Sequence, residues 1–428
     1  MLVFRGVKIS LQILETARPS RTVSLSMVVQ ARLLALLCLP FAFSSISFAQ
    51  SATGWLGDGA SSAWSDPGNW TPAPPQSGAA NTIRDLHFGA AFLASPTGTN
   101  FVSAGNDLAD FRGHSLVFDS ASTSPFFTIT GNGFTLAESG GVSPSIIGNT
   151  ITDVQTIDLT PGQVLRFDGG ATGAAEISGR SFIDFKATSI ELVGTTKLRV
   201  MGEGSIAIRG SLTGTGGLVV DSTRDVALSG AAKTFSGDTV VNKGRLVLST
   251  ALTASSITVN SGGELFAYRV NGVHAMMQKL TLTGGIFSGY DYQLDDLILA
   301  SGSYHMRLAA SNLGGVVGTV NLGSATKLVI DPNSESILNG VSLIENDGTD
   351  PVLGRFLDEN GNVLGDGDVF ASSQNGNRLF KISYTAGSGN DIWLFEVPEP
   401  GTACALLFCT GVLLSFRPRL RGRVELPG

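Results

Sequence analysis

Cysteine is nearly missing from this 428-residue chain. The three present, Cys38, Cys404 and Cys409, all lie in apolar terminal segments. The long body between them has none, which excludes disulfides and a thiolate metal site there. Histidine is scarce as well. His87, His114, His274 and His305 share no metal-ligand spacing, and neither an HExxH motif nor a Cys/His cluster occurs. There is no GxSxG elbow for a nucleophilic serine. Glycine runs such as GTGG lack the Lys-Ser/Thr that a phosphate loop needs. Charged residues make up only 15% of the chain.

What is abundant is glycine, 54 residues, together with serine and threonine. The 43% of apolar residues excludes a disordered composition. The balance predicts an all-β fold, with short strands joined by turns that use the positive φ open to glycine. Charge is unevenly placed. Residues 1–50 carry five basic side chains and one acidic, and residues 417–428 carry four and one. Removing both segments from the net −7 leaves −14 for the body. An acidic body argues against a nucleic-acid partner.

The N-terminal region reads as an export signal. Arg32 precedes an apolar run from Leu33 to Phe43, and "SISFAQ" offers a cleavage site after Ala49. Met27 is a candidate true start. The alternative is a buried core helix. Residues 1–50 are therefore assigned to a signal region with a signal helix.

Residues 51–117 open with "GWLGDGASSAWSDPGNW", which holds Trp55, Trp64 and Trp70. Two roles fit a tryptophan cluster here. The rings can cap the open end of a β stack, the favoured reading, or stack on sugars as glycan contacts. From 118 to 342 the chain alternates apolar and polar residues in short pieces, each ending in glycine or a Gly-Ser turn. Ile190/Leu192, Leu198/Val200 and Ile206/Ile208 follow one another at steps of about eight. "VVNKGRLVL" matches "TVNSGGELF", which sets Asn242 against Asn260 and Gly244 against Gly262. A repeat of that length suits one rung of a right-handed parallel β-helix, a solenoid in which each coil buries its apolar face on its neighbours. A sandwich or barrel is the alternative.

The stretch Gly214 to Leu248 resembles the autotransporter-associated β-strand repeat. The matching positions include Gly214, Gly216, Gly217, Leu218, Leu228, Ser229, Gly230, Thr234, Gly237, Asn242 and Gly244. Lys233 stands where that repeat prefers Asn, and Phe235 where it prefers Tyr. Residues 343–396, with "LIENDGTDPVLGRF" and "KISYTAGSGNDIWLF", are similar to the C-terminal β module that closes such proteins. The resemblance implies a surface-exposed, elongated β protein.

No set of residues makes a convincing catalytic centre. Asp291, Asp295 and Asp296 are the acids to weigh, because β-helix polysaccharide lyases cluster acids on one sheet face. Neighbouring strand residues point to opposite faces, so Asp295 and Asp296 fit a turn better. "DENGNVLGDGD" sets Asp358, Asn360 and Asn362 at alternate positions, but Val369 stands where a calcium loop has Glu. "AGSGNDIWL" approaches a calcium repeat in a single copy. No cofactor or metal is implied.

The segment 397–428 joins three parts in order. Pro398, Glu399 and Pro400 break regular structure. Thr402 to Phe416 is apolar and suits a short transmembrane helix. Arg417, Arg419, Arg421 and Arg423 favour the cytoplasmic side. This arrangement resembles the PEP-CTERM sorting signal. The resemblance implies an exosortase-type processing enzyme as partner, a membrane stage, and a final place at the cell surface or in an exopolysaccharide matrix. A plain single-span anchor is the alternative. The reading is an exported bacterial structural or adhesive protein, with a carbohydrate-binding or polysaccharide-degrading β-helix protein as the alternative.

Overall fold

A computed structural model describes residues 52–78, 84–89, 101–119, 126–149, 154–306, 314–332, 337, 339–347 and 349–398. These residues belong to a compact unit spanning Ala49–Gly428. The expected signal helix and transmembrane helix lie outside the described residues. Among the described residues no helix is long and apolar enough to cross a membrane.

The described chain is all-β, with only single 3-10 turns besides strands. Most pairing is parallel and runs in three ladders. The first joins Ala52–Trp55 to Asp85–Gly89, then Ser115–Asp119, Ser145–Gly148, Ala174–Gly179, Lys197–Gly202 and the start of Gly217–Leu228. The second joins Phe101–Asn106, Phe126–Gly131, Val154–Ile157, Phe182–Phe185, Ile206–Ile208 and the end of Gly217–Leu228. The third joins Phe111–Gly113, Phe134–Ala137, Val164–Asp168, Ser189–Leu192 and Leu212–Gly214. It continues through bridges from Leu212 to Lys233 and from Lys233 to Leu252. Each pass of the chain thus visits all three ladders and returns one strand spacing, about 4.8 Å, further on.

Later passes need no separate strands at the bends. Thr239–Leu248, Ala275–Tyr290 and Tyr292–Met306 each turn a corner and serve more than one ladder. The passes also shorten. Asp85 and the Ser115 side chain that bonds it are 30 residues apart, whereas Asn242 and Asn260 are 18 apart. Parallel pairing begins at Ala52, inside the segment that the sequence assigns to an N-terminal cap. The early passes carry longer connections between their strands, which hide the repeat from a search for a fixed period.

Burial follows strand parity. Leu198/Val200, Leu218/Val220, Leu280/Leu282 and Leu297/Leu299 point inward in the first ladder and are fully buried. Their neighbours point to solvent, so these parallel strands alternate where doubly covered parallel sheets read as continuous apolar runs. Ile190/Leu192, Leu198/Val200 and Ile206/Ile208, noted in the sequence at steps of about eight, are buried on the third, first and second ladders. They belong to different sides of the stack.

Serine and threonine work at the bends. Thr188 Oγ1 donates to Ile157 O at 2.8 Å, and Thr326 Oγ1 to Leu299 O at 2.7 Å. Each buried hydroxyl satisfies a carbonyl one pass away. Some bends require glycine outright. Gly244 has φ 75°, and a Cβ there would lie 2.1 Å from Ser222 O.

At each end an outermost parallel strand carries a further partner, which protects that edge from pairing with other chains. At the start, Ala52–Trp55 carries an antiparallel partner, Trp70–Thr71. At the other end Val341–Asn346 pairs in parallel with Gly314–Val316 and antiparallel with Asp391–Val397. Arg378–Ala386 and Val369–Ser372 complete that antiparallel sheet.

Candidate functional site

The tryptophans come first among the residues singled out from sequence. Trp55, Trp64 and Trp70 are 1%, 0% and 4% exposed. Trp64 packs edge-on against Phe111 and Trp70 at centroid distances of 5.3 and 6.0 Å. Trp70 donates from Nε1 to Trp64 O at 2.9 Å. Phe88 and Phe134 complete the cluster. Rings covered in this way have no free face for a sugar, so the glycan contacts considered from sequence cannot act there in the folded protein. The cluster covers the first pass of the stack.

The three acids do not form one constellation. Asp291 lies in a turn at φ 57° and pairs with Arg269 and His274, both at 2.9 Å. Asp296 accepts from Thr319 N at 2.9 Å and Thr319 Oγ1 at 2.7 Å, which hold its carboxyl below the usual range. Asp295 is exposed. Nothing here pairs two carboxyls so as to split their pKa values for acid and base work.

Among the described residues there is no group of three or more His, Cys, Asp or Glu able to hold a metal. The carboxylates of the calcium-like loops already have protein partners. Asp358 takes Asn362 N at 2.8 Å and Asn362 Nδ2 at 2.9 Å. Asp391 takes Asn346 N at 2.9 Å and Ser388 N at 3.0 Å. Histidines are spent similarly. His87 pairs with Asp119 at 2.6 Å and buried His114 with Asp85 at 2.7 Å. Burial would raise the Asp85 carboxyl, but hydrogen bonds from His114 and Ser115 outweigh it and bring it below its ordinary value.

Lys233 is the most unusual ionisable group. Its side chain is fully buried, and Nζ donates to the carbonyls of Gly210, Ser229 and Ala231 at 2.7, 2.7 and 2.6 Å. Burial pushes the ammonium down to about 7. Lysines with such values serve as catalytic bases elsewhere. Here no part of the side chain reaches solvent or substrate. It ties the turn at Ser229 and Ala231 to Gly210 on the preceding pass.

The outer face of the second ladder is different. On Gly263–Tyr268, Leu265 and Ala267 point inward, so Phe266 and Tyr268 point out. Their rings stack at 5.1 Å, and Tyr290 from the next pass lies 6.1 and 5.8 Å from them. Phe266 and Tyr268 are half-buried, and Tyr290 is 37% exposed. Among the described residues no group bonds the hydroxyls of Tyr268 or Tyr290. Arg245 lies over Phe266 at 5.8 Å and forms a two-point pair with Asp225, at 3.0 and 2.6 Å.

Beside these rings the corner between the first and second ladders opens into a groove. Gly244, Gly262, Gly263, Gly284 and Gly285 form its floor, and Asp225, Arg245 and Glu264 its wall. Glu264 accepts from Ser288 Oγ at 3.1 Å. The other end of the ring cluster meets Arg269 and Asp291. Strand parity in "GELFAYRV" carried the signal for this face, because an inward Leu265 forces Phe266 and Tyr268 outward.

Of the residues that the sequence suggests as a sorting signal, Pro398 is the last described and is exposed. Glu399, Pro400, Arg417, Arg419, Arg421 and Arg423 lie outside the described residues. Comparison with known protein families, curated proteins and solved structures gave no match.

Proposed function

We propose that the chain is an exported bacterial surface or matrix protein whose body is a right-handed parallel β-helix, built to display an extended outer face. The observation that carries this is the parallel stacking from Ala52 to Asn346 across three ladders. Right-handed winding follows from the strong preference of parallel crossovers for that hand. A stack of this kind buries a core without disulfides, which suits a cysteine-free body. Partnered end strands keep it from polymerising through those edges.

The outer surface is laced by ion pairs between neighbouring passes. Arg166 with Glu191, Arg199 with Asp221 and Arg209 with Asp184 lie at 2.8, 2.7 and 2.9 Å. Each such exposed pair contributes only about 0–1 kcal/mol. Their placement between adjacent passes matters more for register than for stability. Among the described residues Asp291, Asp295 and Asp296 are not joined, which gives the polysaccharide-degrading reading no support there, whereas the aromatic face favours a binding role.

Sorting rests on the terminal signal. Pro398, Glu399 and Pro400 would mark the processing site, Thr402 to Phe416 would hold the chain in the membrane, and the arginines would set its orientation. The partner would be an exosortase-type enzyme. The experiment deletes residues 398–400 and compares cell fractions and the mature C-terminal mass with the parent. Retention of an unprocessed form in the membrane supports the proposal. An unchanged location and mass would sink it.

A further inference from the structure

We infer that the outward face formed by Phe266, Tyr268 and Tyr290, with the glycine-floored groove beside it, binds a neutral polysaccharide chain. The inference deepens the display function by naming what the displayed face holds. It stands on ring geometry, free polar groups and local charge.

Three aromatic rings in mutual contact are partly open to water on a single sheet face. Sugar rings present apolar C–H faces that pack on such aromatic surfaces, as other apolar groups do. Tyr268 and Tyr290 add hydroxyls without protein partners among the described residues. Such groups are available to the hydroxyls of a sugar. Glu264 and Ser288 extend the same polar edge. A site with an apolar floor and a few placed polar groups is the general form of a small-ligand or oligomer site.

Charge selects the class of glycan. Along the stripe stand three carboxylates, Asp225, Glu264 and Asp291, against two guanidiniums, Arg245 and Arg269. Both guanidiniums are already paired, Arg245 with Asp225 and Arg269 with Asp291. No unpaired cation among them can receive a uronate or sulfate, and the body carries a net −14 between the terminal segments. An anionic polymer is therefore repelled. A neutral hexose polymer meets no such barrier. The groove is open along the stack, because glycine leaves its floor without side chains across successive passes. A chain can therefore enter sideways and need not present an end.

The test is affinity electrophoresis of the full chain in detergent. Gels contain hydroxyethylcellulose or galactomannan as neutral probes and alginate as the anionic one. The parent should be retarded by at least one neutral polymer and not by alginate. Tyr268→Ser with Tyr290→Ser should weaken retardation by about tenfold, the loss of one well-placed ring contact or more. Val142→Ser, at an exposed apolar position in another part of the stack, should leave retardation unchanged. Urea midpoints of the variants check that they remain folded. Absence of retardation in both neutral gels, retardation by alginate alone, or unchanged retardation in the tyrosine variant would overturn the inference. So would concentration-dependent self-association abolished by the same substitutions, since the face would then belong to a second copy of the chain. The experiment uses purified protein, so its failure leaves the sorting proposal untouched.

Discussion

Asn260 donates from its side-chain amide to the side-chain oxygen of Asn242, 18 positions earlier, at 2.7 Å. Asn242 in turn donates to Asp221 at 2.9 Å, and Thr283 donates to Asn260 at 2.6 Å. Four successive passes are thus joined by one row of polar side chains at the same corner. Replacing Asn242 by alanine removes two of these bonds and should cost about 1–2 kcal/mol, at roughly 1 kcal/mol each. Asn260→Ala should cost a similar amount. The double variant should cost less than the sum, because the bond between the two is lost only once. Urea unfolding of the single and double variants measures this, and strict additivity would show that the row contributes nothing as a unit.

That row explains why part of the fold was legible in advance. The match of "VVNKGRLVL" with "TVNSGGELF" marks two passes in near register, because Asn242 and Asn260 occupy one corner. Inward residues such as Leu198 and Val200 were readable from alternation alone. Earlier passes were not, since their longer connections break any fixed period. The aromatic face was missed for a different reason. Alternation marks Phe266, Tyr268 and Tyr290 as outward, but only the register between passes brings their rings together. Trp64 drew attention through its unusual spacing with Trp55 and Trp70, yet its role is burial. Lys233 could not be anticipated, because charge on a single residue predicts exposure, and only three converging carbonyls make its burial tolerable.

Glycine at the corners can be tested by contrast. Gly244 has φ 75° and stands where a Cβ would meet Ser222 O at 2.1 Å, while Gly194 has φ 58° and nothing within 4 Å. Both substitutions to alanine incur the left-handed penalty of about 1–2 kcal/mol. Only Gly244→Ala also forces two neighbouring passes apart. It should cost about 3 kcal/mol or more, within the range of severe backbone effects. Equal costs at the two positions would mean that the passes can separate locally without penalty.

The tryptophan cluster should behave as core. Trp64→Ala removes a fully buried ring that touches Trp70, Phe88, Phe111 and Phe134. Large-to-small changes of this kind cost about 3–5 kcal/mol. Trp64→Phe keeps much of the packing and should cost less. A loss under about 1 kcal/mol for Trp64→Ala would show that the N-terminal segment is not integrated with the stack.

Lys233 gives a pH signature of defined sign. Its ammonium sits at about 7 in the folded chain through burial, against about 10.4 in an unfolded one. Between those values the unfolded state binds more protons, so stability must rise with pH across that window and level off above it. Below pH 7 both states are protonated and the slope vanishes. Lys233→Met keeps the apolar stem but cannot titrate. It also leaves Gly210, Ser229 and Ala231 without the donor they share, a loss that lowers stability at every pH. Subtracting the variant's stability from that of the parent cancels every other titrating group. The remaining difference should climb by about 1.4 kcal/mol per pH unit between pH 7 and 10. Urea midpoints at pH 6, 8 and 9.5 measure it. A flat difference would mean that the three carbonyls hold the ammonium charged throughout, so that hydrogen bonding and not desolvation governs the site.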